Sequence, residues 1–66
     1  MSAHTLTNIE QSILSRIDAV GPVEGWQIAR SLDLSSRLVM AYLWQLRRHG
    51  WVTQRDRYWS LTRRRP

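Results

Sequence analysis

The chain has 66 residues, no cysteine and a formal net charge of +5 at pH 7. A chain this short forms one small domain, whose core is marginal but sufficient without cross-links. The lack of cysteine excludes a disulfide framework and a thiolate metal site. No apolar run is long enough to span a bilayer and no signal peptide opens the chain, so we expect a cytoplasmic protein without a membrane partner.

The charge is divided unevenly between the two halves of the chain. Residues 1–33 carry two arginines against four acidic residues, whereas residues 34–66 carry eight arginines against a single aspartate. All ten basic residues are arginine, for which codon usage in the genome is one explanation. Arginine also binds phosphate and guanine edges through its planar guanidinium. The asymmetry itself indicates a polyanionic partner.

The first helix is predicted from its own start and stop signals. Residues 1–6 show no periodicity, and we expect a flexible terminus there. Thr7 and Glu10 match a capping box, so a helix begins at about Asn8. It continues to about Val20 and ends at Gly21-Pro22. Apolar residues at helical spacing give it a core face, namely Ile9, Ile13, Leu14, Ile17 and Val20.

A strand residue and a second helix follow. Val23 lies between helix-breaking residues and could pair as a strand of one or two residues with a later hairpin. A helix from about Gly25 to Leu32 has a buried side on which Trp26 is half covered. Asp33-Leu34 is a tight connection, in which Leu34 is apolar enough to fill the angle between two helices.

The third helix is predicted over about residues 36–49. Ser35 is its expected N-cap, and Gly50 suits the left-handed position that follows a helix end. One apolar stripe at helical spacing is expected to face the core, consisting of Val39, Tyr42, Leu43 and Leu46. The opposite face is expected to be exposed and carries Arg37, Met40, Ala41, Trp44 and Arg48.

A small hairpin is predicted after the third helix. The segments 52–54 and 59–61 alternate in polarity, and Arg55-Asp56-Arg57 forms the turn between them. Trp59 is expected to be half core and Tyr58 to be exposed, because neighbouring strand residues point to opposite faces. The predicted fold is α+β and mainly α, a winged helix-turn-helix of three helices and a two- or three-stranded antiparallel wing. We expect it to form a single domain over residues 1–66.

Residues 9–62 resemble the winged helix-turn-helix superfamily of small bacterial DNA-binding domains, including MarR and related regulators. The matching residues are 26–32 in the second helix, 34–35 in the turn, Leu43, Leu46, Gly50 and Val52 in the third helix and next strand, and 59–62 in the last strand. The resemblance implies double-stranded DNA as partner, with the third helix in the major groove and with the wing and the basic C-terminal tail, residues 63–66, on the backbone. It implies a small transcriptional regulator, or an accessory factor of a phage or mobile element, associated with the nucleoid.

Z-DNA-binding domains give a second, narrower resemblance. They place an aromatic residue on the third helix near a tryptophan on the last strand, and Trp44 and Trp59 stand in similar positions here. Met40 replaces the asparagine that those domains carry one turn before the aromatic, and the wing lacks their prolines.

The candidate nucleic-acid-binding residues fall into two groups. On the third helix, Arg37 could bind guanine O6 and N7, and Ser35 with Ser36 could hold a phosphate. Met40 and Trp44 form an apolar patch that a solvated helix face does not explain. The helix group is Ser35, Ser36, Arg37, Met40, Ala41, Trp44 and Arg48. The wing and tail group, suited to phosphates or a narrow minor groove, is Arg55, Arg57, Tyr58, Arg63, Arg64 and Arg65.

Other functions stay open at this point. A winged helix could instead serve as a protein-interaction module that docks through the Met40–Trp44 patch, and RNA or Z-form nucleic acid are further alternatives. A homodimer or another protein partner is equally open. The sequence has two histidines, His4 and His49, and no convergent acidic pair, nucleophile or phosphate loop. We therefore expect no enzyme activity, no cofactor, no metal and no small-molecule ligand.

Overall fold

Three helices and a three-stranded antiparallel sheet make up the fold. The structure is a computed structural model that describes residues 6–62. In chain order the elements are α1 (Asn8–Val20), β1 (Val23–Glu24), α2 (Gly25–Leu32), α3 (Ser36–Arg48), β2 (Val52–Arg55) and β3 (Tyr58–Leu61). The predicted α+β, mainly α class with a winged-helix layout is confirmed. None of the helices within the described part of the chain has the length and apolar character needed to cross a membrane.

Local capping fixes where α1 and α3 begin. The Glu10 backbone N–H donates to Thr7 Oγ1 at 3.1 Å, and the Thr7 N–H donates to Glu10 Oε1 at 2.9 Å. The Leu38 N–H donates to Ser35 Oγ at 3.1 Å. Each bond satisfies an N–H group that has no partner within its own helix. Both predicted N-caps are confirmed.

The turn between α2 and α3 is closed by a left-handed aspartate. Asp33 has φ 58°, a conformation that aspartate tolerates better than most residues. The Leu34 N–H donates to the Ala29 carbonyl oxygen at 2.8 Å, which closes the end of α2. Leu34 is partly buried and packs against the core, as its predicted place between the two helices requires.

The end of α3 forms a Schellman motif. Gly50 has φ 83°, and the Trp51 N–H donates to the Leu46 carbonyl oxygen at 2.9 Å. The predicted left-handed glycine is therefore confirmed. The helix itself ends at Arg48, with His49 as its C-cap, one residue earlier than the sequence predicts.

The sheet has the strand order β1-β3-β2. Val23 pairs with Trp59, which confirms the predicted short first strand. Arg55 pairs with Tyr58, so Arg55 ends β2 and does not belong to the turn as predicted. The turn contains two residues, and its first residue, Asp56, has φ 57°. Such a short turn keeps the wing close to the helices.

One hydrophobic cluster joins all three helices to the sheet. Val39, Leu43 and Leu46 are each 0% exposed, which confirms the predicted inward face of α3. Trp59 is 1% exposed and is fully buried, not half core as predicted, because α1 packs on β3 and the Trp44 ring of α3 meets the Trp59 ring. The complete cluster is Ile13, Ile17, Val23, Ile28, Ala29, Val39, Leu43, Leu46, Val52 and Trp59.

The packed part of the chain begins before α1. Leu6 was predicted to belong to a flexible terminus, but it is partly buried and packs against the core cluster. The side-chain amide of Gln11 donates to the Leu6 carbonyl oxygen at 3.3 Å. An apolar side chain next to the N-cap gains from covering the first turn, which explains the difference. Residues 1–5 lie outside the described residues.

Candidate functional site

The solvent face of α3 carries most of the helix residues predicted to bind nucleic acid. Because Val39, Leu43 and Leu46 are buried, the opposite side of α3 faces solvent. The exposed predicted residues are Ser35, Ser36, Arg37, Ala41, Trp44 and Arg48. The Ser35 hydroxyl already accepts the Leu38 N–H, so its first role is to cap the helix.

Met40 departs from this arrangement. It was predicted to be exposed, but it is partly buried and packs against the core. A Cβ atom built on Gly25 would lie 2.6 Å from Met40 Sδ, so α2 and α3 are in close contact at this point. At about 100° per residue, Met40 lies about 100° from Val39, on the flank of α3 that faces α2. Met40 is therefore less exposed than predicted, and Trp44 is the more exposed residue of the predicted Met40–Trp44 patch.

Trp44 is half-buried and is held by a buried partner. Its side chain keeps 46% of its surface exposed. Its ring meets the Trp59 ring in a T-shaped arrangement, with centroids 5.4 Å apart and planes at 87°. Edge-to-face geometry is a favourable arrangement for two aromatic rings. Trp44 is thus attached to the core through β3 and does not project freely from the helix.

Arg47 completes the surroundings of Trp44 and was not among the predicted site residues. Its guanidinium carbon lies 5.2 Å from the centroid of the Trp44 ring, within the range of a cation–π contact. The spacing from Trp44 to Arg47 is three residues, which places the two side chains side by side on a helix. That spacing is the sequence signal that could have identified Arg47. Trp44, Arg47 and Arg48 together line a shallow, open concavity, which we call the Trp44 concavity.

The wing adds a second exposed basic surface. Arg55, Arg57 and Tyr58 are all exposed, and Tyr58 keeps 45% of its surface. Arg57 Nη1 lies 4.0 Å from Glu24 Oε1, and 75% of the Arg57 side chain remains exposed. An ion pair this long and this exposed contributes little to stability. The pairing of Glu24 with Tyr58 between β1 and β3 is what places the turn of the wing next to the start of α2. The predicted tail contacts Arg63, Arg64 and Arg65 lie outside the described residues.

Comparisons with protein-family models, with curated proteins and with solved structures found no match to this chain.

Most of the arginines among the described residues belong to the second half of the chain. Within residues 34–62, five arginines stand against Asp56, and all five are exposed. They are Arg37, Arg47, Arg48, Arg55 and Arg57. Among residues 6–62, no group of three histidine or acidic side chains is placed to hold a metal ion. A surface of exposed guanidinium groups around one half-exposed indole is suited to phosphates and flat rings.

Proposed function

We propose that this protein binds double-stranded DNA, with α3 in the major groove and the wing on the phosphate backbone. The observation that carries the proposal is the solvent face of α3, where exposed Arg37 and Arg48 lie on either side of Ala41 along the helix. At about 100° per residue, these three positions fall within about 40° around the helix axis. A small residue between two arginines lets the helix approach base edges while the guanidinium groups reach bases and phosphates.

The backbone contacts come from both ends of this surface. Ser36 and the free N–H groups of the first turn of α3 face a phosphate on one side. Arg55, Arg57 and Tyr58 on the wing supply donors to phosphates on the other side. Such contacts fix the position of the protein on the duplex, whereas Arg37 is the residue best placed to bind a guanine edge.

We further propose that the chain is a member of the winged helix-turn-helix superfamily. It would act as a small transcriptional regulator or as an accessory factor of a phage or mobile element, in the cytoplasm and on the nucleoid. The layout of α2, the short turn at Asp33-Leu34 and α3 supports this proposal, because it is the arrangement that presents a recognition helix to DNA. The protein-docking alternative has less support, because Met40 packs against the core and is only partly exposed, which makes such a patch smaller.

A titration of ¹⁵N-labelled protein with a mixed-sequence duplex at two salt concentrations tests the proposal. We expect the amide signals of Arg37, Ala41, Arg48 and Arg55 to shift, and the shifts to shrink at the higher salt concentration. Arg37→Gln should weaken binding. Arg16→Gln, which removes an exposed arginine from α1, is the matched control and should leave binding unchanged. Shifts confined to α1, or no shifts at all, would contradict the proposal.

A further inference from the structure

The Trp44 concavity combines a half-exposed indole with two guanidinium groups and overlaps the C-terminal part of the surface proposed to contact duplex DNA, because Trp44 and Arg48 belong to both. We propose that it binds one unpaired nucleobase and the phosphate next to it, so that the preferred ligand is a duplex with a single-stranded extension. This inference rests on the proposed function for its DNA partner, and it adds a stacking position for an unpaired base, at which Arg48 serves both surfaces.

The indole of Trp44 is a prepared surface for stacking. It retains 46% exposure, while its partner Trp59 is 1% exposed and is fixed in the core. The T-shaped contact between the two rings, at 5.4 Å, restricts the orientation of the exposed ring. A ring that is already held in place loses little freedom when a base stacks on it, which favours binding.

Arg47 and Arg48 supply the other elements of a nucleotide site. The Arg47 guanidinium lies over the Trp44 ring at 5.2 Å, and guanidinium planes themselves stack on bases. Arg48 lines the same concavity and brings a second positive charge next to the indole. Proteins that bind single strands combine these same elements, aromatic rings for the bases and cationic groups for the backbone.

An unpaired base fits this chemistry better than a paired one. In a duplex the faces of each base are covered by stacking neighbours, and only the edges are accessible in the grooves. The guanidinium of Arg47 lies over one face of the Trp44 indole, so a base can stack on the guanidinium plane or on the indole once Arg47 moves aside. Either position needs the face of a base. Trp44 lies about 10 Å along the helix axis from Arg37, from a rise of 1.5 Å per residue. The N-terminal half of α3 can therefore contact a duplex while the Trp44 concavity holds the first nucleotide of an extension.

Fluorescence anisotropy with two labelled DNAs tests this inference. One is a blunt duplex, and the other is the same duplex with a short single-stranded thymidine extension. We expect the parent protein to bind the extended duplex at least about fivefold more tightly, the lower limit of what one stacked base contributes. In Trp44→Ala and in Arg47→Ala, the ratio of the two affinities should fall to about one. Trp26→Ala, which removes a tryptophan of similar exposure from α2, should keep the ratio of the parent.

A second measurement keeps the test independent of any loss of stability. In the ¹⁵N-labelled parent protein, the indole N–H signal of Trp44 should shift with the extended duplex and shift less with the blunt one. Equal affinity for both DNAs, together with equal Trp44 shifts, would overturn this inference and leave the proposed duplex binding intact. Failure to bind either DNA would overturn both proposals.

Discussion

The ring of Trp44 on the surface of α3 meets the ring of Trp59 in the core at an angle of 87°, with centroids 5.4 Å apart. The contact links a residue that keeps 46% exposure to one that keeps 1%. A side chain at the centre of the candidate binding surface is therefore also part of the packing between α3 and β3. Changes at Trp44 should alter both stability and binding.

Trp44→Ala is expected to destabilise the protein more than Trp26→Ala does. The two tryptophans are exposed to a similar extent, 46% and 50%, so their replacement uncovers similar fractions of apolar surface. The difference comes from the edge-to-face pair with Trp59, for which about 0.5–1.5 kcal/mol is typical beyond burial alone. Urea denaturation of both variants measures this difference. Equal losses in the two variants would mean that the ring pair contributes nothing to the free energy of unfolding.

The close approach of α2 and α3 gives a second prediction. Gly25→Ala should lower the free energy of unfolding by about 1 kcal/mol, because the new methyl group would lie 2.6 Å from Met40 Sδ and the flexible Met40 side chain has to shift. Met40→Ala in the same chain should relieve part of this loss. The combined variant should then lose less stability than the sum of the losses in the two single variants. Thermal melts of the two single variants and the combined variant measure the coupling.

Ser31→Ala is the matched control for Gly25→Ala, because it places an alanine at an exposed position of the same helix. It should change the melting temperature little. Strictly additive effects of Gly25→Ala and Met40→Ala would show that the two residues are not in contact. The burial of Met40 against α2 would then be contradicted, and Met40 would count as an exposed residue.

The sequence predicted the helices well because their signals are local. The capping box at Thr7 and the breaker at Gly21 lie within a few residues of the ends they define, and the bounds of α1 and α2 match the prediction. The hydroxyl cap at Ser35 and the glycine at position 50 similarly mark α3. Each signal operates through hydrogen bonds between neighbours in the chain, so no knowledge of tertiary packing was needed.

The surroundings of the candidate site depend on tertiary packing and were predicted less well. The periodicity of α3 separates Leu43 from Ala41, which lie on opposite sides of the helix. Periodicity cannot predict the exposure of side chains on the flanks of α3, because that exposure depends on which neighbouring element packs against them. Met40 is covered because Gly25 on α2 has no side chain, and Trp44 is half-covered because Trp59 on β3 reaches it. Neither of these two contacts can be predicted from residues 36–48 alone.

Replacement of a buried leucine on the inward face of α3 by alanine should destabilise the whole fold. Leu43 and Leu46 are both 0% exposed, and replacement of either by alanine should cost roughly 2–5 kcal/mol. A small domain often has a total stability of only about 5 kcal/mol, so we expect near-complete unfolding at room temperature. Circular dichroism during a thermal melt measures the effect. Gln45→Ala, between the two leucines on the exposed side, should melt like the parent.

Salt dependence is the most direct test of the arginine surface. If α3 and the wing neutralise at least about four phosphates, the logarithm of the affinity should fall with the logarithm of salt with a slope of about −3.6 or steeper. Arg48→Gln and Arg55→Gln should each make the slope about 0.9 shallower, because each removes one contact between a cation and a phosphate. Anisotropy titrations of a blunt duplex across a series of salt concentrations give the slopes. Arg16→Gln changes the net charge by the same amount on α1, so its slope should equal that of the parent. If Arg16→Gln makes the slope as shallow as the other two variants do, net charge alone would account for the attraction, and the α3 surface would have no specific part in binding DNA.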